Sequence, residues 1–355
     1  MKGVPSGIIE KLYCKLLDIN YQEKIFGALK GFERKGEGYI AYCPFHYDVL
    51  PTLIINSESP RYFYFACGAN GDWVHYLMNH KSMSFGKAMK ALAKAACVQG
   101  VVLESQWKSE SMRSGMLETA MTVFTAMLFS HKGRAELNYL NSRGYMGEEI
   151  EHMGLGLFPG YKETREILEK DFKEENVADV FLAEGSDRQM LAIPYRDSCG
   201  RLMGIYGMMP DDTDNAYIPL TGMEYLKDTP LLMYKSRDQE QLVAVEGFFD
   251  TMLSDCIGIK GAIGVGKGGI TPGMLKTAAG FRAKVIILAL SSKEKTKHAI
   301  SLIGKTGLEA RIVRLPEKYD DVDAFIRDTC INKFGKLIDK AVAPEEWLKI
   351  EGELT

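Results

Sequence analysis

Gln241–Asp250 reads QLVAVEGFFD. The apolar run Leu242 to Val245 has the length and composition of a buried strand, and it delivers Glu246, Gly247 and Asp250 to its C-terminal end. In open α/β sheets that end is where ligands and chemistry collect. A carboxylate followed at once by glycine at the lip of a strand suits a magnesium ion or a proton acceptor beside a phosphate. The structural alternative is an acidic residue that merely finishes a strand, and the surrounding chain decides between the two.

With 355 residues and 39.7 kDa the chain has room for two or three domains and at least one sizeable core. Its 46% hydrophobic and 26% charged residues are the profile of a soluble globular protein. A formal net charge of -3 excludes a protein basic all over but leaves room for a local basic face. The N-terminus turns charged too soon for a secretory signal, and no apolar run is long enough to cross a bilayer, so the cytoplasm is the expected compartment and no membrane contact is expected. Seven scattered cysteines do not make a disulfide framework, though two or three of them suit a metal.

Upstream, Ile8 to Leu17 and Gln22 to Ala28 carry apolar residues at helical spacing. Tyr42-Cys43-Pro44-Phe45-His46 follows a predicted strand, and Cys-x-x-His at such a turn offers one thiolate and one imidazole, half of a tetrahedral zinc site. The other half is expected across a hairpin built from Thr52–Asn56 and Arg61–Ala66, at the turn Cys67 to Asp72. CPFH, the two strands and FACGANGD leading into WVHYLMNHKSMSFGKAMKALAKAA together resemble the N-terminal zinc-binding domain of bacterial DnaG-type primases over roughly residues 8–104. The resemblance implies zinc held by Cys43, His46 and Cys67, with Tyr64 standing at the fourth ligand position. A neutral phenol is not an ordinary structural zinc ligand. Three readings stay open: three ligands completed by water or by Cys14, Cys97 or His75; weak zinc; or a metal-free knuckle held by Tyr62, Phe63, Tyr64 and Phe65. For this module the resemblance also implies contact with single-stranded template, against the alternative that the aromatic residues are core.

Gln99 to Met112 changes composition and reads as a linker, placed at residues 105–115, about which a zinc module would move. Met116 to Ser130 is a methionine-rich amphipathic helix, read as core. YLNSRGY, from Tyr139 to Tyr145, resembles the opening of the primase catalytic core, and Arg143 is read as a helix C-terminal cap. Met190 to Tyr206 reads as two strands joined at Asp197 to Gly200 and resembles a further core element, but Met208 stands where the family has a basic residue. A lysine-bearing segment of the family is here Ala216 to Leu220, so positive charge is thinned. Arg196, Lys227, Lys235 and Arg237 remain as candidate nucleic-acid contacts, with solvated surface charge as the alternative for each.

From VEGFFD onward the chain resembles a TOPRIM domain, the metal-binding α/β module that bacterial primases share with type IA and II topoisomerases, over residues 240–330. Glu246, Gly247 and Asp250 match its first motif. GAIGVGKGGIT, Gly261 to Thr271, is not a phosphate-binding P-loop because the GK[ST] ending is missing. The strand Lys284 to Leu290 should end in Asp-x-Asp and ends in Ser291-Ser292-Lys293. Two expected carboxylates are thus a hydroxyl and a cation, which cannot reproduce the metal geometry of phosphoryl transfer. Asp321 and Asp323 match the third, acidic motif. The resemblance makes Glu246, Asp321 and Asp323 the catalytic candidates, with Mg2+ or Mn2+ as cofactor; they either form a reduced one-metal site or pair with Lys293 as a salt-bridged relic, the reading favoured here.

The expected fold class is α+β / α/β: a zinc-ribbon-like β module (1–104), the linker (105–115), a core N-terminal subdomain (116–239), a TOPRIM domain (240–330) and a C-terminal tail (331–355). The expected function is that of a primase-like protein binding single-stranded DNA with primer synthesis reduced or lost. The rivals are an active short primase and a non-enzymatic scaffold with a protein partner from the same operon, mobile element or defence complex. Helicase recruitment through a C-terminal domain is not expected, since only some thirty residues follow Phe325.

Overall fold

The computed structural model describes all residues except 1–6, 37, 65–69, 101, 103, 182–186, 211–216, 223–227, 320, 330–331 and 353–355. The chain divides into two compact units, one formed by Met1–Phe124 and Phe158–Tyr225, the other by Thr125–Leu157 and Leu226–Thr355.

The first unit begins with helices α1 (Gly7–Asp18) and α2 (Tyr21–Phe26), as their apolar spacing predicts. A five-stranded antiparallel sheet follows in chain order: β1 (Glu33–Lys35), β2 (Gly38–Ala41), β3 (Leu53–Asn56), β4 (Arg61–Tyr64) and β5 (Asn70–Asp72). Alternation along β3 and β4 buries Leu53, Ile55, Tyr62 and Tyr64 and turns Ile54 and Phe63 outward. Helices α3 (Trp73–Asn79) and α4 (Phe85–Ala96) cover the buried face, with Trp73, Tyr76 and Leu92 in one cluster with Leu12, Leu16 and Phe26.

Residues 105–115, expected to be a linker, are helical and lie inside α5 (Glu104–Leu128). Their polar composition hides a single buried stripe: Trp107, Ser114, Leu117, Met121, Phe124 and Leu128 recur at steps of seven, three or four and are all buried. Helices α6 (Arg134–Ser142) and α7 (Gly147–Met153) belong to the second unit. The chain then runs through β6 (Gly156–Phe158), α8 (Tyr161–Leu168), α9 (Glu174–Val180), β7 (Met190–Arg196), β8 (Leu202–Met208) and β9 (Tyr217–Pro219), the four strands forming a sheet in that order. The expected turn between β7 and β8 is present, closed by the Gly200 amide donating to the Asp197 carbonyl at 3.0 Å.

The second unit is built on alternating strands and helices: β10 (Gln241–Val245), α10 (Phe248–Cys256), β11 (Ala262–Gly264), α11 (Pro272–Gly280), β12 (Val285–Ala289), α12 (Lys293–Ile303), β13 (Glu309–Ile312) and α13 (Val322–Asp328). All strand pairs are parallel and the order is β11-β10-β12-β13, which brings the ends of β10 and β12 side by side. Leu242, Ala244, Ile286 and Leu288 form the core with Met274, Leu275, Ala299 and Ile303 of the covering helices. Residues 331–355, expected to be a tail, instead contribute α14 (Asn332–Asp339) and α15 (Pro344–Ile350) to this unit. Val342 bridges to Ile312 beside β13, and Trp347 enters the core cluster at 5% exposure. The buried aromatic is the reason this segment folds, since it removes about 2 kcal/mol worth of apolar surface from water.

Asp72 ties the first unit together. At 6% exposure it accepts hydrogen bonds from the Tyr13 hydroxyl at 2.8 Å, the Trp107 indole at 3.0 Å and the His75 amide at 3.0 Å, and pairs with His75 Nδ1 at 2.9 Å. One carboxylate thereby joins α1, α3 and α5. Burial pushes its pKa up, but the His75 and Tyr13 bonds outweigh burial and bring it down to about 2. A carboxyl with a depressed folded-state pKa stabilises above its unfolded pKa and loses that contribution as pH falls. Two results are expected from urea denaturation: Asp72→Ala loses about 3 kcal/mol, because the Tyr13 and Trp107 donors stay buried without their acceptor. The natural chain also gives up about 2 kcal/mol between about pH 4 and pH 2 that the variant does not.

Candidate functional site

Glu246 leaves β10 where the sheet places β12 alongside, so it faces the residues that follow β12. Its Oε1 accepts from both the amide and the hydroxyl of Ser291, each at 2.9 Å, and its Oε2 accepts from Lys295 Nζ at 2.6 Å. Burial raises the Glu246 pKa and the Lys295 and Ser291 bonds lower it by more, so the carboxyl sits below its usual range. Ser292 caps α12, its hydroxyl accepting from the Lys295 amide at 3.3 Å, and that cap sets Lys295 on the first turn facing Glu246. Lys293, expected to pair with the acidic residues, pairs instead with Glu351 beyond α15. The cation that meets Glu246 is two residues further on, because the helix cap turns position 293 away and position 295 inward.

The other acidic residues are held on α10 and α13. Asp250, 5% exposed, accepts from the Gly247 amide at 2.8 Å and from the Asp323 amide at 2.7 Å. Burial, then the neighbouring charges of Asp321 and Asp323, raise its pKa to about 6. Asp321 caps α13, accepting from the Ala324 amide at 2.7 Å. Asp323, only 2% exposed, is gripped by three donors: Arg143 Nη2 at 2.8 Å, Arg327 Nη2 at 3.2 Å and the Tyr145 hydroxyl. Arg143 was expected to cap its own helix. It does end α6, but its guanidinium lies over Phe249 at 4.3 Å and spans Tyr139 and Asp323. Burial disfavours its charge, yet Tyr139 and Asp323 hold it firmly protonated. Among the described residues, no group of three or more His, Cys, Asp or Glu side chains is arranged to hold a metal ion.

The glycine run packs tightly at Gly264, the last residue of β11, and opens to solvent at Gly266 and Gly268. A Cβ on Gly264 would stand 2.4 Å from Thr251 Oγ1, and the Gly266 amide donates to the Glu246 carbonyl at 3.0 Å. Of the basic residues expected at nucleic acid, Lys227 lies outside the described residues. Arg196 pairs with Glu118 at 2.7 Å, Lys235 pairs with Asp255 at 2.8 Å, and Arg237 lies over Phe281. These three remain candidate nucleic-acid contacts, each with a partner within the chain.

In the first unit, the knuckle places Cys43, 6% exposed, and His46 near Tyr64, while Cys67 lies outside the described residues. His46 Nε2 and the Tyr64 hydroxyl share a hydrogen bond of 3.0 Å, and the same hydroxyl reaches Thr52 and Asp48. Asp48 in turn accepts from the Cys43 amide and the Thr52 hydroxyl, each at 3.4 Å. Tyr64 therefore closes the knuckle through hydrogen bonds at the position where a thiolate was expected. Around it Tyr47, Val49 and Leu50 are 91%, 74% and 64% exposed.

Removing one partner of the buried Asp323 cluster leaves a carboxylate uncompensated, whereas the Lys293–Glu351 pair is exposed at its lysine. Arg143→Ala is accordingly expected to lower unfolding free energy by about 3 kcal/mol in urea titrations. Lys293→Ala is expected to change it by no more than about 0.5 kcal/mol.

Residues 11–108 match the CHC2 zinc finger family. The chain is 28% identical to a DNA primase of Pseudomonas aeruginosa over 256 residues, covering 65% of this chain and 39% of that protein. It is 25% identical to a DNA primase of Pseudomonas putida over 372 aligned positions, covering 96% of this chain and 56% of that protein. The chain thus spans about half the length of these relatives or less. In fold it resembles the zinc-binding and RNA polymerase domains of the Aquifex aeolicus primase, with a TM-score of 0.62, 20% identity and coverage of 93% of this chain and 85% of that one. A DnaG primase catalytic domain bound to single-stranded DNA matches with a TM-score of 0.56 and 17% identity, over 66% of this chain and 80% of that one. In sequence along nearly its whole length, and in the fold of both its ribbon module and its core, the chain is similar to the DnaG-type primases.

Proposed function

We propose that the chain is a cytoplasmic primase-like protein that engages single-stranded DNA and whose metal-dependent primer synthesis is reduced or lost. The observation that carries this reading is the internal neutralisation of the carboxylates: Glu246 is taken up by Ser291 and Lys295, and Asp323 by Arg143, Arg327 and Tyr145. Those side chains fit a resident divalent cation poorly, because three donors already occupy lone pairs of each carboxylate and a metal would compete with Lys295, Arg143 and Arg327 for its charge. A lysine supplies one positive charge near Glu246 but no coordination sphere for two phosphate oxygens and a nucleophile. The DNA part of the proposal draws on the apolar knuckle rim of Tyr47, Val49 and Leu50 and on outward Phe63 beside Arg61, a combination suited to stacking on bases and tracking phosphates.

A second reading, a short active primase with one metal at Glu246, Asp321 and Asp323, is favoured by one feature: Asp321 and Asp323 both raise the pKa of Asp250, so an acidic field persists on this side of the sheet. Labelled-nucleotide incorporation on single-stranded DNA, with magnesium and separately with manganese, distinguishes the two. No incorporation is expected above that of Glu246→Ala, while DNA binding persists and weakens steeply with salt. Incorporation abolished by Glu246→Ala would establish the one-metal enzyme, and a folded protein without salt-sensitive binding would turn the function toward a protein partner.

We further propose that the knuckle does not depend on tightly held zinc, since the fourth ligand position carries Tyr64, a neutral phenol whose hydroxyl bonds to His46. Elemental analysis of the purified chain is expected to find zinc well below one per molecule, and Tyr64→Cys to raise it toward one. Stoichiometric zinc in the natural chain would sink the proposal.

A further inference from the structure

Helix α1 and the β7–β8 turn each carry a thiol that takes no part in the contacts described above. Cys14, partly buried on α1, has its Sγ 3.4 Å from the hydroxyl of Ser198, although 184 positions separate the two in sequence. Cys199, with no exposure, is the next residue of the turn and lies in the same hydrophobic cluster against which Cys14 packs. Cys14 thus touches the turn residue next to Cys199 and packs against the cluster that holds it.

The backbone of the turn is fixed where it stands. Ser198 donates to Glu10 of α1, and Arg201 pairs with Asp197 at 2.7 Å and with Glu110 of α5 at 3.3 Å. The Arg201 guanidinium lies over the Tyr13 ring at 5.7 Å, one residue before Cys14. Gly200, at φ +76°, has the Glu58 carbonyl oxygen 2.5 Å from where a Cβ would be, so the turn sits directly on the ribbon module. Both thiols are therefore carried on backbone that its neighbours hold in place.

We propose that Cys14 and Cys199 form a reversible thiol–disulfide pair, oxidised by a low-molecular-weight disulfide of the glutathione type. The partly exposed Cys14 thiolate attacks one sulfur of the oxidant, forming a mixed disulfide and expelling one thiolate, which takes up the proton that Cys14 lost. Cys199 then attacks the Cys14 sulfur, its proton passing to the second expelled thiolate. Two cysteine thiols are oxidised to one disulfide and one small disulfide is reduced to two thiols, so atoms and electrons balance. The order of events follows from access. Burial pushes the Cys199 thiol well up and keeps it protonated, and its lack of exposure prevents direct contact with the oxidant. The new bond would close a very long loop and pin α1 to the turn, which restricts the unfolded chain.

The test is oxidation of the full chain with glutathione disulfide, followed by peptide mapping without reduction and by thermal denaturation. The expected result is a Cys14–Cys199 linked peptide in most molecules and a rise of several degrees in the denaturation midpoint, both reversed by dithiothreitol. Cys14→Ser is expected to abolish both effects and leave Cys199 a thiol, whereas substitution of the exposed Cys97 by serine leaves the link intact. The proposal is overturned if Cys14 accumulates glutathione while Cys199 stays a thiol, or if neither reacts under conditions that modify Cys97. Because Cys14→Ser leaves the fully buried Cys199 in place, the test does not depend on a core substitution that fails to fold.

Discussion

A carboxylate withdrawn from water must be met by donors or a cation, or it takes up a proton. This constraint organises both units. In the first, Asp72 collects Tyr13, Trp107 and His75, and three helices converge on a single side chain. In the second, Asp323 collects Arg143, Arg327 and Tyr145, while Asp250 meets two backbone amides and still has its pKa raised to about 6. The helices lie where these residues can reach one another, so polar satisfaction and packing select the same arrangement.

The same constraint shapes the chemistry at the end of the parallel sheet. A site that uses metal keeps carboxylate oxygens available to the ion and tolerates their mutual repulsion in its absence. Here that repulsion is relieved from within. Ser291 and Lys295 complete Glu246, and the Asp323 cluster is closed by two guanidinium groups. The knuckle follows a parallel course, with the Tyr64 hydroxyl bonding to His46 and Asp48 where a thiolate would have joined a metal. In each place the polar side chains are met by hydrogen bonds from within the chain.

Much of the fold was legible from local patterns. VAV and VIIL runs punctuated by helix signals define the parallel sheet, and the alternation in β3 and β4 defines the ribbon. Two segments were misread, both for physical reasons. QWKSESMRSGM looks like a linker because most of its residues are polar, yet Trp107 and Ser114 continue the buried stripe of Leu117 and Met121. The last residues look like a tail because they are short and charged, yet Trp347 alone supplies enough apolar surface to anchor α15 on the sheet. A seven-residue step and a single tryptophan were the signals available for finding them.

Residue type and order by themselves determined the fold class, and they put Ser291 and Lys293 rather than carboxylates after a strand run and a phenol at position 64. These are facts of residue type and order, and no folding is needed to read them. Only the tertiary structure decided which cation answers which carboxylate: Lys295 rather than Lys293 at Glu246, and Arg143 at Asp323 across 180 positions of sequence. Pairing depends on where a helix cap turns its first residues and on which side chains the core brings within about 3 Å, and neither is written in local spacing.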